Sequence, residues 1–314
     1  MATDSITKSA REAALLFDHP QVHRSLPDRD GGFEAQRIVS LVPSLSESLV
    51  ALDLSDRLVG VTEYCVYPEH AFEALPKLGG TKDADTQAIL ELKPDLVIAN
   101  QEENTPRVVR QLAEAGIDVW VSYPRTVREG AELLAAIARL GASDEAIATH
   151  VRPALDAVSN AERRRGAIGS AAPRVFCPIW RDPWMTITAD TYIHDMIELC
   201  GGRNVFSNGI EDSGSPGTDG EGADTSAAES REEAGDRRYP RVTLAEVEAA
   251  RPDVILLPDE PYAFSETDVA ELAGLNCPAA ETGRIVLIDG TLVSWYGPRI
   301  TESIRTLAAI FANS

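Results

Sequence analysis

A chain of 314 residues that is 44% hydrophobic exceeds one ordinary domain and carries enough apolar surface for two cores. Its 50 acidic residues outnumber 29 basic ones, and a formal charge of -21 repels phosphate backbones and anionic headgroups, which argues against nucleic acid as a partner. No apolar run approaches bilayer length, so no membrane insertion is expected.

Residues 1–36 read as an N-terminal extension. Arg11, Glu12 and Asp18 bracket its one apolar patch, so it lacks the uninterrupted apolar stretch of a secretory signal. The expected location of the chain as written is cytoplasmic. A periplasmic or cell-surface location requires an export signal missing from this start.

From Arg37 the pattern changes. RIVSLVPS is a short β-branched run ended by Pro-Ser, followed by Leu45, Leu49 and Leu52 at helical spacing. LVGVTEY repeats the strand, as does KPDLVIANQ with a helix from Thr105 to Ala115, and IDVWVSYP closes a first lobe over 37–125. Fully apolar strands alternating with amphipathic helices predict a parallel sheet covered on both faces, an α/β architecture. A helical link over 126–168 follows, with Gly141 and Ser143 as a break and fresh cap, and Pro153 in a first turn or at a kink.

The rhythm restarts over 169–314 with RVFCPIW, WMTITA, a helix from Tyr192 to Leu199 stopped by Gly201-Gly202, RPDVILLPDE, GRIVLIDG and a last helix from Arg299 to Ala312. ILELKPDLVIANQEE and VEAARPDVILLPDEP repeat one arrangement: helix end, basic residue, Pro-Asp, apolar strand, acidic exit. This predicts two lobes of related design. The stretch 208–238 is rich in Gly, Ser, Asp and Glu with almost no apolar residue, so a disordered acidic insertion is expected there.

Ligands of open parallel sheets bind beyond the carboxyl ends of the strands. Those exits carry Pro43, Ser44 and Ser46; Glu63, Tyr64 and Cys65; Asn100, Gln101 and Glu102; and Tyr123. In the second half they carry Trp180, Arg181, Asp182 and Trp184; Asp259, Glu260, Tyr262 and Phe264; and Ser294, Trp295 and Tyr296. Aromatic residues make up only 6% of the chain, so their concentration at these exits points to a flat, largely apolar ligand. In PSLSE, Ser44 or Ser46 stands at a helix N-terminus suited to an oxygen ligand, although plain capping, with Glu47 close by for a capping box, is the more common explanation.

Catalytic signatures are missing: there is no GxSxG elbow, no phosphate-binding GxxxxGK[ST] loop, no HExxH pair and no GxGxxG after a strand. Cys65, Cys177, Cys200 and Cys277 lie far apart with no ligand spacing, so no metal site is expected and buried thiols are the simpler reading. Of the histidines only His70, beside Glu69, lies near an exit. The chain is therefore expected to be non-catalytic and to require no cofactor.

RIVSLVPSLSESLVAL, LVGVTEYCVYP, LPKLGGT, ILELKPDLVIA, QLAEAGIDVWV and ELCGGRNVF, in that order, resemble the substrate-binding proteins of cobalamin and iron-siderophore ABC importers, most of all the cobalamin-binding branch. The resemblance implies two Rossmann-like lobes joined by one long backbone helix, and a ligand in the interlobe cleft. By it the small-molecule ligand is a corrinoid, cobalamin or cobinamide, and Tyr64, Trp180, Trp184 and Trp295 are the leading contacts, with Pro43, Ser44, Cys65, Asn100, Arg181, Asp259, Tyr262 and Tyr296 around them.

It also implies an ABC permease as partner, docked through one glutamate per lobe. Glu73 fits in the first, while in the second the usual position falls on Ala245, beside Glu246. Haem or a ferric siderophore is the alternative ligand, for which Arg181 and Arg299 would serve the anionic groups. A corrinoid-modifying or chelatase-like enzyme using Glu63, His70 or Asp259 ranks below both.

Overall fold

The computed structural model describes residues 18–27, 34–165, 172–209 and 238–312. Most of the stretch expected to be disordered, 210–237, lies outside the described residues, as does 1–17. The chain divides into two compact units, one running to Val158 and including Tyr296–Thr301, the other Ser159–Trp295 together with the C-terminal stretch from Glu302.

The first unit holds a five-stranded, all-parallel sheet in the order β1-β5-β4-β2-β3. Its strands are β1 (Val22–His23), β2 (Ile38–Ser40), β3 (Leu58–Val61), β4 (Leu96–Asn100) and β5 (Asp118–Ser122). β2, β4 and β5 are buried at every position, which is why they read as unbroken apolar runs and not as alternating ones. Val39, Val97 and Val119 pack with Ile89, Val108 and Leu112 of the flanking helices Thr86–Leu92 and Pro106–Glu114. β1 comes from the extension that the sequence left irregular. It adds an edge strand beside β5, and His23 Nε2 meets Asp118 Oδ1 at 2.8 Å.

The second unit has a four-stranded parallel sheet ordered β11-β10-β6-β9. It comprises β6 (Arg174–Phe176), β9 (Arg203–Asn204), β10 (Val254–Pro258) and β11 (Ile285–Ile288). A separate antiparallel hairpin, β7 (Pro178–Trp180) with β8 (Met185–Thr186), follows β6. RVFCPIW, read as one strand, is thus two: Pro178 has no N–H to continue a ladder, and the chain leaves the sheet at Cys177.

The repeated Pro-Asp phrase has one physical meaning in both units. Lys93 and Arg251 end their helices in left-handed backbone, at φ 47° and 44°. Arg37 donates to the Leu92 carbonyl from Nη2 at 2.7 Å, and its Nε reaches the Lys93 carbonyl at 3.3 Å. Arg174 does the same to Ala250 and Arg251, its Nη2 at 2.5 Å and its Nε at 3.2 Å. The Asp95 carboxylate accepts from the Arg37 backbone N–H at 2.9 Å, and Asp253 from that of Arg174 at 2.8 Å. Each module satisfies the orphan carbonyls of a helix end with a cation and pins the start of one strand to the next, fixing where the opposite, carboxyl ends fall.

The helical link is segmented. Thr126 and Glu129 form a capping box for the helix Val127–Ala138, and Ser143 caps a restart by accepting from the Ala146 N–H. A π-helical turn, Ile147–Val151, then leads into the helix Arg152–Arg165. Pro153 lacks an N–H and its ring crowds the carbonyl of Thr149, and the wider turn lies where that crowding falls.

Candidate functional site

In the first unit the exits form a surface of mixed character. Val42 is the N-cap of the helix Pro43–Ala51 and Pro43 its first residue, so the missing Pro43 N–H falls where a helix leaves one unpaired anyway. Ser44 is 3% exposed, and Ser46 bonds to Ser40 Oγ at 2.8 Å and the Val42 carbonyl at 3.0 Å. Neither serine caps the helix, and both residues are buried. Cys65 is also buried, with Sγ 3.1 Å from Ser46 Oγ and 3.2 Å from Thr62 Oγ1, and burial pushes its thiol up. Ser44 and Cys65, both expected near a ligand, are thus largely covered by their own unit, although Cys65 still lines the hollow beside this loop.

Asn100 is consumed by its own turn: its Oδ1 accepts from the Glu102 N–H at 2.7 Å, and its Nδ2 donates to the Tyr296 hydroxyl at 2.7 Å. Tyr296 is buried in that contact, so both act as supports. What the unit exposes is the loop after Thr62, where Tyr64 is 60% exposed, Val66 57% and Tyr67 47%. Beneath Tyr67 lies Arg299, its guanidinium carbon 5.1 Å from the ring centroid. Arg299 Nε in turn donates to Glu47 at 2.8 and 3.1 Å. Sequence reasoning missed Tyr67 and this pair; EYCVYP contained the tyrosine signal, but nothing local links residues 252 positions apart.

Beside this loop is an open hollow of about 280 Å³ walled by Val66, Pro68 and Phe72 and rimmed by His70, Glu73 and Lys77. It is smaller than the roughly 300–1,000 Å³ that drug-sized ligands occupy. His70 Nδ1 meets Glu73 Oε1 at 2.5 Å on an exposed rim, which leaves His70 solvated and Glu73 at the surface.

The exits of the second unit carry a graded aromatic row. Trp180 at the end of β7 is 44% exposed, and its ring stands edge-on to Tyr262 with centroids 5.7 Å apart. Tyr262 leans on Phe264 at 4.7 Å, and Phe264 stacks on Trp184 at 5.7 Å with the planes 8° apart. Trp184 and Phe264 belong to the hydrophobic core with Phe176 and Leu257, so only the outer half of the row faces outward. Arg181 lies over Trp184, 5.5 Å from the ring, and binds Asp268 Oδ1 through Nη1 and Glu271 Oε2 through Nη2. The carboxylates hold this guanidinium in the charged form.

Trp295 is 8% exposed, with its carbonyl accepting from the Tyr192 hydroxyl at 3.4 Å and its indole bonded to Glu260. Trp184 and Trp295 therefore lie inside their own unit, supporting the exits without presenting a face. Asp259 is exposed, but its Oδ1 accepts from the Gly290 N–H at 2.7 Å, tying the exit of β10 to that of β11. That approach requires glycine: a Cβ on Gly290 would lie 2.5 Å from Glu260 Cγ and 2.8 Å from its backbone nitrogen.

Glu260, which the sequence listed among exits without a role, lies under this junction and accepts from Ser294 Oγ at 2.8 Å. Burial pushes its carboxyl above the usual range against the bonds from Ser294 and Trp295, and Asp259 and Asp289 add to the rise. A carboxyl raised in the folded state favours folding fully below its unfolded value near 4.5, and that contribution is lost as pH rises through the raised value. Glu260→Gln cannot ionise, so its melting temperature relative to the native chain should climb between about pH 4 and pH 7; a flat difference across a melting series contradicts this.

The remaining thiols support no chemistry: burial raises Cys177 and Cys200 to about 12, and all four cysteines are buried and free. Among the described residues no group of three or more His, Cys, Asp or Glu is placed to hold a metal, and no helix is long and apolar enough to cross a membrane. Glu246 is spent in a capping box, accepting from the Thr243 N–H at 2.7 Å and Oγ1 at 2.8 Å.

A model of the periplasmic binding protein family matches residues 38–292. The vitamin B12-binding protein of Vibrio cholerae serotype O1 is 32% identical over 177 residues, 56% of this chain and 63% of that protein, so the match spans less than two thirds of the relative's length. The crystal structure of the periplasmic vitamin B12 binding protein of Vibrio cholerae superposes with a TM-score of 0.66 at 25% identity, covering 90% of this chain and 98% of that one. The apo periplasmic heme-binding protein of Roseiflexus sp. RS-1 shares the fold at a TM-score of 0.66 and 22% identity, over 89% of this chain and 98% of that one.

Proposed function

Because the chain belongs to the periplasmic binding protein family, we propose that it is a substrate-binding protein whose ligand is a corrinoid, cobalamin or cobinamide, held without chemical change. The observation that carries this reading is that each unit exposes aromatic rings at its own strand exits: Trp180 on Tyr262 in the second, Tyr64 and Tyr67 in the first. Rigid rings of this kind supply large contact area at small entropic cost, which suits a broad macrocycle.

Charge supports the corrinoid over the anionic alternatives. Haem propionates and siderophore carboxylates seek unspent cations, yet Arg299 is bonded to Glu47 and Arg181 to Asp268 and Glu271. A corrin ring edged with neutral amides asks for no such partner. The vitamin B12-binding relatives support the same choice, while the heme-binding neighbour bears on the fold alone.

Calorimetric titration of purified protein with dicyanocobinamide and with haemin separates the ligands. One equivalent of dicyanocobinamide at micromolar or tighter affinity is expected, with haemin at least tenfold weaker. Heat from haemin alone, or from neither at high micromolar ligand, would sink the reading.

An ABC permease is the partner that this role requires, and Glu73, 72% exposed on its side chain, is the candidate contact on the first unit. With Glu246 committed to its helix, the second unit offers no equivalent at that position. A Glu73→Arg chain that loads a reconstituted importer as well as the native chain would remove Glu73 from this role.

A further inference from the structure

Two arginines stand next to the aromatic exits, and each is met by carboxylates of its own unit. In the first unit, Arg299 lies under the exposed Tyr67 ring, and its side chain is 19% exposed against 11% for Glu47. The Nε contacts to both Glu47 oxygens, at 2.8 and 3.1 Å, are charge-assisted. In the second unit, Arg181 follows Trp180 directly and sits over Trp184. Its partners are Asp268, whose side chain is 3% exposed, Glu271, 35% exposed, and, at 3.8 Å from Nε, the solvated Asp182, 88% exposed.

Neither pairing is needed to close a helix end in the way that the Arg37 and Arg174 modules are. Asp268 does contribute to the cap at Ser265, accepting from its N–H at 2.8 Å, but Glu47 has no capping role and Glu271 lies in the last turn of the helix Glu266–Leu272. Removing a cation from water is costly, and a partly buried arginine is retained more cheaply when a carboxylate meets it. The consequence at a ligand surface is that a guanidinium plane remains for stacking and shape while its field is cancelled.

We propose that Glu47 and Glu271, with Asp268, are specificity-determining residues: by neutralising Arg299 and Arg181 they make the aromatic exits prefer an uncharged macrocycle over one bearing carboxylates. The proposal rests on the reading of those exits as the ligand surface. It assigns the choice between corrinoid and haem to carboxylates that need not touch either.

The test uses full-length chains carrying Glu47→Gln, Glu271→Gln or both. Each carboxamide keeps the side chain's size and removes one unit of negative charge beside its arginine. Haemin, with two carboxylates, and dicyanocobinamide, with no net charge, are titrated into each. Every single variant is expected to raise the haemin-to-cobinamide affinity ratio about tenfold, as a partly buried charge partner does, with the double variant raising it further.

Glu114→Gln, an exposed change on the helix Pro106–Glu114, alters the net charge equally and should leave the ratio where it was. Ratios that stay within twofold of the native chain, or that rise as much in Glu114→Gln, overturn the proposal. If Glu47→Gln fails to fold, Glu271→Gln carries the test, since Glu271 is the more exposed partner. Native cobinamide affinity is the separate reading of the proposed function: its absence with a haemin gain in the variants would refute the corrinoid while retaining the charge clamp.

Discussion

Trp184→Ala is expected to destabilise the second unit by about 3–5 kcal/mol, the usual cost of deleting a large aromatic side chain from a packed core. The indole is 9% exposed, stacks flat on Phe264 and packs in one cluster with Phe176 and Leu257, so its removal leaves a cavity that the surrounding strands cannot close. It would also strip the ring from beneath Arg181. Chemical denaturation reads the loss directly, and a variant within about 1 kcal/mol of the native chain would show that Trp184 is a surface residue after all.

Trp180→Ala should give the opposite pattern. With 44% of its surface exposed at the tip of a two-stranded hairpin, Trp180 contributes little to the core, and its loss should cost at most about 1 kcal/mol of stability. It is the outermost ring of the aromatic row, and under the proposed function it is a binding anchor, whose truncation typically costs about 2 kcal/mol, roughly thirtyfold in affinity for dicyanocobinamide. Calorimetry on the two tryptophan variants side by side makes the contrast plain. An unweakened Trp180→Ala would place the ligand elsewhere.

The parallel sheets were legible because their strands are buried on both faces and therefore carry unbroken runs such as LVIAN and VILLP. The repeated Pro-Asp phrase was legible too, since it encodes a local module of helix end, left-handed residue and strand start. The break at Pro178 and the edge strand Val22–His23 were not: the first turns on one missing N–H inside an apolar run, the second on two residues whose pairing lies 97 positions along the chain, Val22 against Val119.

The site was legible in part. The strand exits carry both exposed and buried candidates, because exposure there depends on contacts distant in sequence. Trp180 and Trp184 are four positions apart in one motif, and it is packing against distant residues such as Phe264, Phe176 and Leu257 that buries Trp184. Asn100 and Tyr296 looked like ligand groups because both are polar and near exits, yet they satisfy each other. The charge of Arg299 was readable, and its cancellation by Glu47 was not.

The most direct test of where the ligand sits is hydrogen–deuterium exchange on the chain with and without saturating dicyanocobinamide. Slowed exchange should concentrate in 178–184 and 259–264 of one unit and in 62–70 of the other, the segments that carry Trp180, Tyr262, Tyr64 and Tyr67. Binding that leaves these segments unprotected, or that slows only surfaces remote from the strand exits, would contradict the account.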